Sequence, residues 1–356
     1  MALTSNTNIR HTYQQTGNIK ESVLDLVVDT APMAVPLLAM AGRGPNPLST
    51  RFEWVLDYAG PYPTSTSGLV RGEGDDADPK VTAKRARLFN DTHIWGRAWS
   101  VSHTAEVVDA IGIDSEFDYQ AAKHARLVVR DMNYLAINSE WANESGTPND
   151  STANARQMGG LKHMQKSLGQ AGGIAETFVT NHGTYVNAAG TAVSTDGGFD
   201  DWEAYVDTTN DALTTTDLND AMKECWSRGG MGSGVIQVLA NGTLKQKIST
   251  LYAPESGSSG IHRRDFGSQA STEVVLPVDV IVTDFGEMHV HLDQAVAADD
   301  VIGFDPEFFN INVLRDFELI ELAKTGPSQH GMIEAEMTCS LLAPNTSWLV
   351  EDKSAS

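Results

Sequence analysis

The amino-acid sequence predicts an α+β protein, and three observations lead to this fold class. One long segment in the first half of the chain has apolar residues every three or four positions, which is typical of an amphipathic helix. From residue 272 onward most segments alternate polar and apolar residues, which is typical of strands. No repeat is visible at the periods of solenoids or propellers, so we expect a non-repetitive fold.

The net charge restricts the classes of partner. The 356 residues include 47 acidic and 25 basic ones, which gives a net charge of −22. Such a chain is a poor general binder of nucleic acid, because phosphate contacts need clustered Lys and Arg. The charge suits a protein that stays soluble at high local concentration.

Cysteine usage and hydropathy indicate a soluble protein that is intracellular when made. Cys225 and Cys339 are too few and too far apart for a disulfide framework or a thiolate metal cluster. Residues 1–17 lack the basic start and apolar core of a signal peptide. The longest apolar stretch, residues 31–42, is too short to cross a membrane and contains two prolines. We therefore expect no contact with a membrane.

Two segments within residues 1–107 are predicted to lack a hydrophobic core of their own. Residues 1–50 read as an extended arm, because prolines interrupt all but one short helix candidate, Ile19–Val28. Residues 51–107 read as a projecting hairpin, with a strand at 51–59 and a returning strand within 92–103. Its tip is acidic at 73–78 and basic at 80–87. Such segments need contacts outside themselves, and neighbouring copies of the chain would supply them.

The best helix candidate runs from about residue 114 to residue 144. Asp114 or Ser115 can cap its first amides. A helix of that length would span about 45 Å. Its apolar face is predicted to contain Phe117, Ala121, Ala125, Val128, Met132 and Leu135.

The middle of the chain is less regular. Residues 144–155 read as a linker, and residues 182–202 and 256–271 read as loops. A helix is predicted over 217–230, ended by Gly229 or Gly230. A buried strand follows at 234–242. The apolar face of this helix is predicted to contain Leu218, Met222, Cys225 and Trp226.

The stretch EMHVHLD, residues 287–293, is the one segment with metal-like spacing. After a turn at 284–286 it returns as a strand, with Met288, Val290 and Leu292 on the packed face. His289 and His291 then share the other face with Glu287 and Asp293. Two imidazoles at that spacing can bind one metal ion, with Glu287, Asp293 or His262 as a third ligand. The favoured interpretation is a solvated sheet face, in which the nearby carboxylates favour the imidazolium form.

Other catalytic motifs are absent from the sequence. The glycine-rich segments lack the flanking strand and helix of a phosphate-binding loop, and no Gly-x-Ser-x-Gly nucleophile elbow is present. We therefore expect no enzyme, no catalytic residue and no cofactor, but an assembly protein. Its candidate contacts with other copies are the charged hairpin tip and two tryptophans on one face of the returning strand: Asp75, Asp76, Asp78, Lys80, Lys84, Arg85, Arg87, Trp95 and Trp99.

Four segments together resemble the major capsid proteins of tailed bacteriophages. Residues 118–137 resemble the start of the long spine helix of that family, and residues 90–108 resemble the hairpin return before it. The motifs within 304–326, followed by the strand at 331–342, are the sharpest match.

The resemblance implies the Hong Kong 97-like capsid fold and its domain order. The N-terminal arm would be residues 1–50 and the extended loop residues 51–107. The peripheral domain would be residues 108–150 and 272–350. The axial domain would be residues 151–271, with 180–212 as an insertion, and residues 351–356 would form a C-terminal tail.

The resemblance also implies a major head protein of the virion, made in the host bacterial cytoplasm. It would self-assemble into hexamers and pentamers that form an icosahedral shell around double-stranded DNA, which it would touch only non-specifically. Because the sequence has no long, charged, helical N-terminal extension, we expect a separate scaffolding protein or a cleaved product. A portal and a decoration protein are the other implied partners. Lys80 and Lys84 are candidates for covalent linkage between subunits, by position alone.

Two alternative functions stay open at this point. One is the shell protein of a bacterial encapsulin-type nanocompartment, which has the same fold. The other is a metal-dependent hydrolase that uses His289 and His291.

Overall fold

The computed structural model describes most of the chain outside the arm and the hairpin tip. The described residues are 34–56, 70, 72–74, 86–108, 113–142, 155–169, 185–186, 192–193, 204–252, 279–324 and 326–355. Most of the predicted arm, including the helix candidate Ile19–Val28, therefore lies outside the description, and so does most of the hairpin tip.

Helices and strands are mixed along the described chain, as the sequence predicts. The helices are α1 Pro36–Met40, α2 His103–Val107, α3 Glu116–Asn138, α4 Leu161–Gly169, α5 Thr215–Ser227 and α6 Gly242–Tyr252. The strands are β1 Gly42–Arg43, β2 Arg51–Leu56, β3 Ala86–Asp91, β4 His93–Ser102, β5 Tyr185–Val186, β6 Ala192–Val193, β7 Tyr205–Asp207, β8 Val235–Ala240, β9 Val280–Thr283, β10 Gly286–Leu292, β11 Val301–Phe304, β12 Phe309–Leu322, β13 Ser328–Leu341 and β14 Ser347–Val350. A 3₁₀ turn, Pro344–Thr346, precedes β14.

The long helix α3 packs on a four-stranded sheet with the order β1–β12–β13–β4. Ser115 caps α3, because its hydroxyl accepts a hydrogen bond from the amide of Asp118. The helix ends at Asn138 rather than near residue 144, since the backbone of Ser139 is extended and its carbonyl accepts from the amide of Gly160. The predicted face is mostly confirmed, but Ala125 is exposed, while Asn133, Ala136 and Ile137 are buried.

A second sheet has six strands in the order β7–β14–β11–β8–β10–β9. Strand β8 pairs in parallel with β10 and antiparallel with β11. The predicted boundary near residue 271 therefore falls between strands of one sheet, and the division into domains stays a prediction. Pairing across the chain, not nearness in sequence, decides where these strands belong.

The predicted projecting hairpin is shorter than residues 51–107. Strands β2 and β3 pair antiparallel from Arg51 opposite Asp91 to Leu56 opposite Ala86. Strand β4 instead pairs with β13 over ten residue pairs inside the four-stranded sheet. Residues 93–102 therefore belong to the core of the subunit and not to the projection.

Helix α5 packs on the six-stranded sheet as predicted, except at one position. Leu218, Met222 and Cys225 are buried, and a capping box joins Thr214 to Asp217 at the start of the helix. Trp226, predicted to be on the same face, is 59% exposed and packs beside Phe285 with ring centroids 5.8 Å apart. Helices α4 and α6 lie in segments for which no helix was predicted.

Candidate functional site: assembly surfaces

The histidine strand β10 lies next to the edge of the six-stranded sheet. Met288 and Val290 are buried as predicted, but Leu292 is 57% exposed because the strand ends there. His289 and His291 are half-buried on the other face. The His291 Nε2 atom is 2.7 Å from the Gln237 side-chain oxygen on β8, and the His289 Nε2 atom is 3.5 Å from a Glu287 carboxylate oxygen.

Asp293 does not join the two histidines. It is buried beyond the end of β10, where its carboxylate accepts hydrogen bonds from the Asn133 side chain at 2.9 Å and from the amide of Ala295 at 2.8 Å. His262 lies outside the described residues. Across the part of the chain that the structure describes, no three His, Cys, Asp or Glu side chains are grouped so that they could hold a metal ion.

The electrostatics of His291 also differ from the prediction. Partial burial, followed by the neighbouring His289 and Lys245, lowers the pKa of His291, and the opposing effect of Asp279 is smaller. The predicted stabilisation of the imidazolium form by nearby carboxylates is therefore wrong for His291. The residue keeps its charge-neutral form at lower pH than an exposed histidine does.

The two candidate tryptophans pack inside the subunit. Trp95 and Trp99 are 8% and 6% exposed, on the face of β4 that meets α3. Trp95 meets the ring of Phe317 edge-on, and Trp99 packs against Phe117. Their expected role as packing anchors is seen within this chain, and only a small part of either ring is left for a neighbouring copy.

The charged candidates of the hairpin tip are not placed by the structure. Asp75, Asp76, Asp78, Lys80, Lys84 and Arg85 lie outside the described residues, and Arg87 is described only as a β3 backbone position opposite Val55. Their contacts with other copies therefore stay predictions.

The base of the hairpin is firmly braced. Arg51 donates to the buried carboxylate of Asp91 at 3.0 Å, and its guanidinium lies 4.1 Å from the centre of the Phe89 ring. Trp141 donates to the same carboxylate at 3.1 Å. Val55, further along β2, is exposed. The described base of the hairpin is thus fixed to the rest of the subunit.

Strand β9 carries an exposed apolar surface that was not predicted from the sequence. Val280 and Val282 are 51% and 74% exposed on one face, while Ile281 between them is buried. They stand opposite His289 and Glu287 on β10. The alternation of β9 is readable in the sequence, but its outward valines look like core residues, because both faces of the strand are apolar.

A buried carboxylate that sequence analysis also missed joins three parts of the chain. Glu336 on β13 accepts hydrogen bonds from Thr92 at 2.6 Å, from Arg156 at 2.9 Å and from Arg315 at 3.1 Å. Burial opposes ionisation, but these partners outweigh it and lower the pKa of Glu336. No sequence pattern indicates such a group, because its partners lie up to 244 positions away from Glu336 in the sequence.

The C-terminal segment is held by a second polar cluster. The Lys353 ammonium is fully buried and lies 2.9 Å from Asp207, 2.5 Å from Asp211 and 3.7 Å from Asp217. The Lys166 Nζ atom lies 2.6 Å from a carboxylate oxygen of Glu351. The predicted tail at 351–356 is therefore anchored through residue 354, whose amide donates to the carbonyl of Asp211.

None of the described helices is both long and apolar enough to cross a membrane. The described residues form a braced hairpin base, an exposed strand at a sheet edge and a buried polar framework. This arrangement offers contacts to other molecules of protein and assembles no catalytic constellation among the residues described.

Comparisons with known proteins agree on one class. The chain is similar to the capsid of cyanophage A-1(L) (TM-score 0.61, 12% identity, 96% of this chain and 98% of the other). It is similar to the capsid of a native GTA particle (TM-score 0.56, 10% identity, 99% and 100%) and to a structure from Mycobacterium phage Bobi (TM-score 0.51, 13% identity, 95% and 97%). At these identities the likeness shows the fold, which is the Hong Kong 97-like α+β capsid fold.

A search of curated protein sequences finds no match. The family model described as "SU10 major capsid protein" matches residues 4–354, nearly the whole chain. The chain therefore belongs to the SU10 major capsid protein family, and it is a structural subunit of the phage capsid shell in the virion.

Proposed function

We propose that this subunit forms hexamers and pentamers that close into an icosahedral head around double-stranded DNA, and that it acts without enzymatic activity. The observation that carries the proposal is the β2–β3 hairpin. Its base is braced by Arg51 and Asp91, while Val55 is exposed as the strand leaves the core. A projection with a fixed origin and exposed apolar surface is suited to lie over a neighbouring copy.

The two sheets suggest a revised division of the subunit. We assign the four-stranded sheet and α3 to the peripheral domain, and the six-stranded sheet with α5 and α6 to the axial domain. In this assignment the exposed valines of β9 face another copy within a capsomer. Burial of Val280 and Val282 in a seam would remove apolar surface from water at about 25 cal/mol per Å².

The charged hairpin tip would set the register of the contact more than its strength. Exposed ion pairs contribute only about 0–1 kcal/mol each. Asp75, Asp76 and Asp78 would pair with cations of the neighbour, and Lys80, Lys84, Arg85 and Arg87 with its carboxylates. Apolar burial, repeated at every interface of the shell, would supply most of the free energy of assembly.

A separate scaffolding protein, a portal and a decoration protein are the further partners that we propose. Expression of the chain alone and together with its neighbouring genes tests this, with negative-stain electron microscopy as the measurement. We expect capsomers or shells, with more uniform shells when the neighbouring genes are present. A compact monomer under both conditions would contradict the proposed assembly.

Covalent linkage through Lys80 or Lys84 has a direct test. Shells boiled in detergent and separated on a denaturing gel should give ladders of joined chains if a lysine of one subunit is linked to the next. A single monomer band would remove this part of the proposal and leave the assembly itself untouched.

A further inference from the structure

We propose that residues 80–85 of one copy add as a strand to the outer edge of β12 in a neighbouring copy, along residues 318–322. The inference rests on the proposed function, because it needs two copies of the chain side by side. It goes beyond that function in naming the surface that receives the hairpin and the charges that select it. Residues 318–322 are called the acidic edge below.

The outer edge of β12 is open over the second half of the strand. Strand β1 pairs with that side of β12 only at Asn310 and Ile311. No other strand among the described residues pairs there. On its inner side the acidic edge forms a regular ladder with residues 330–334 of β13. Its outward amides and carbonyls are therefore aligned as a template for one more strand.

The side chains of the edge also provide apolar surface for a partner. Leu319 and Leu322 are both exposed. Leu319 stands opposite Ile333, on the face of the sheet that meets α3, and Leu322 stands opposite His330 on the other face. A strand added beside β12 would thus cover apolar surface on both faces of the sheet.

Negative charge is in excess at this edge. Glu318 and Glu321 are exposed, and neither makes an ion pair with another described residue. Glu318 stands directly opposite Glu334, and like charges in that position are unfavourable. The nearby guanidinium of Arg315 already binds Glu334 and Glu336. A strand that brings further cations would relieve this repulsion.

These charges select which segment of another copy can pair with the edge. Two acidic edges would repel each other, so the carboxylates oppose pairing of β12 with its own counterpart. Residues 80–85 have the opposite character: they contain Lys80, Lys84 and Arg85, no Asp or Glu, and no Gly or Pro to interrupt a strand. Six extended residues span about 20 Å, which is enough to cover the five-residue edge.

The cations and the carboxylates also match in their distribution over the two faces. Because side chains alternate along a strand, Lys80 and Lys84 would share one face and Arg85 would lie on the other. Glu318 and Glu321 likewise lie on opposite faces of the sheet. Each carboxylate would therefore have a cation of the added strand on its own face.

The place where the hairpin joins the sheet favours the edge of a neighbouring copy. Strand β4 begins with His93 opposite Met337, and Asn90, at the end of β3, donates to the carbonyl of Cys339 at 2.8 Å. Both contacts lie in the C-terminal half of β13. The acidic edge pairs with the N-terminal half of β13, so the hairpin is joined to the sheet at the end far from the edge of its own subunit.

Reversal of the charges tests the pairing. E318K with E321K reverses the edge, and K84E with R85E reverses the segment. Each full-length variant should need a roughly tenfold higher protein concentration for half-maximal capsomer formation, measured by sedimentation velocity. The variant with all four changes should return to the parent value, because every contact then pairs reversed charges. Failure of this fourfold variant to recover would overturn the proposal.

A charge-matched variant controls for net charge. E140K with E307K makes the same change in net charge at two exposed carboxylates elsewhere. It should assemble at the parent concentration. A loss equal to that of the edge variant would also overturn the proposal, since it would show an effect of net charge alone.

Cross-linking of mixed subunits tests which copy supplies the strand. Burial raises the pKa of the natural thiols, Cys225 and Cys339, to about 12, so introduced cysteines are the reactive ones. Capsomers formed from T82C and L319C subunits, treated with a short bis-maleimide, should give a dimer with one chain of each kind. T82C mixed with N219C, at an exposed position of α5, should not.

Three outcomes of the cross-linking experiment separate the possibilities. Absence of the T82C–L319C dimer from intact capsomers, or an equal yield with N219C, would overturn the proposal. So would a chain with both T82C and L319C that is linked within itself and gives no dimer. Failure of the parent chain to form capsomers at all would instead count against the proposed function.

Discussion

The imidazole ring of His124 lies flat against the indole ring of Trp99, with ring centroids 5.4 Å apart and planes inclined by 12°. This contact joins the long helix α3 to β4. Burial, followed by the charges of Arg97 and Lys123, lowers the pKa of His124, and Asp131 opposes them only in part.

The lowered pKa makes a prediction about acid stability. Because the folded state binds the His124 proton less readily than the unfolded state, its contribution to stability is present above about pH 6.5 and is lost as the pH falls below it. We expect the parent protein to lose unfolding free energy between pH 7.5 and pH 5.0. H124F keeps the stacked ring without the titrating group, so its loss should be smaller. Urea unfolding at both pH values measures this, and an equal loss in both proteins would contradict it.

Loss of the Lys353 ammonium should strongly destabilise the subunit. Burial opposes the charge, but Asp211 and Asp207 outweigh it and raise the pKa of Lys353. K353M would leave the carboxylates of Asp207 and Asp217 close together without their cation. We expect a loss of about 3 kcal/mol in unfolding free energy, at the lower end for a broken buried pair because Asp211 is half exposed. K324M, at an exposed lysine, should change it by less than about 0.5 kcal/mol.

Gly331 should not tolerate a methyl group. A Cβ atom there would lie 2.5 Å from Cζ2 of Trp99 and 3.1 Å from Cζ of Phe117. G331A would force the indole away from His124, and we expect it to cost about 1–3 kcal/mol. G232A is the matched control, since the nearest atom to its Cβ would be 4.0 Å away. Equal melting temperatures for the two variants would contradict this account of the packing.

Two neighbouring positions on α5 should respond very differently to truncation. Met222 is fully buried, so M222A should lower the unfolding free energy by about 2–5 kcal/mol through a cavity. Trp226 is largely exposed and touches Phe285 at the surface, so W226S should cost less than about 1 kcal/mol. Denaturant titration of the two variants measures both values. The reverse order would mean that Trp226 is covered in the protein in solution.

The sequence predicted those features that depend on local periodicity. Helices α3 and α5 were found because the residues that face a sheet recur every three or four positions. Trp226 was misplaced because it follows Cys225 directly and thus lies about 100° further around the helix. The capping residues Ser115 and Thr214 act within four residues of their partners, and Ser115 was accordingly foreseen.

Features that depend on pairing between distant segments were beyond sequence reasoning. Strand β8 pairs with β10 although 45 residues separate the end of one from the start of the other, and this pairing was not predicted. His289 and His291 lie on one half-exposed face of a strand, as their spacing predicted. Asp293 was predicted to lie beside them, but its carboxylate instead accepts a hydrogen bond from Asn133 on the distant helix α3.

The position of β14 has a consequence for synthesis. This strand, the last of those in the described residues, lies between β7 and β11, and all four of its residues are buried. At about 5–20 residues per second, translation of such a chain takes roughly 20–70 s. Throughout that time the six-stranded sheet lacks an interior member. A nascent chain that does not yet include β14 cannot complete the six-stranded sheet, and therefore has no finished subunit surface to offer to a neighbouring copy.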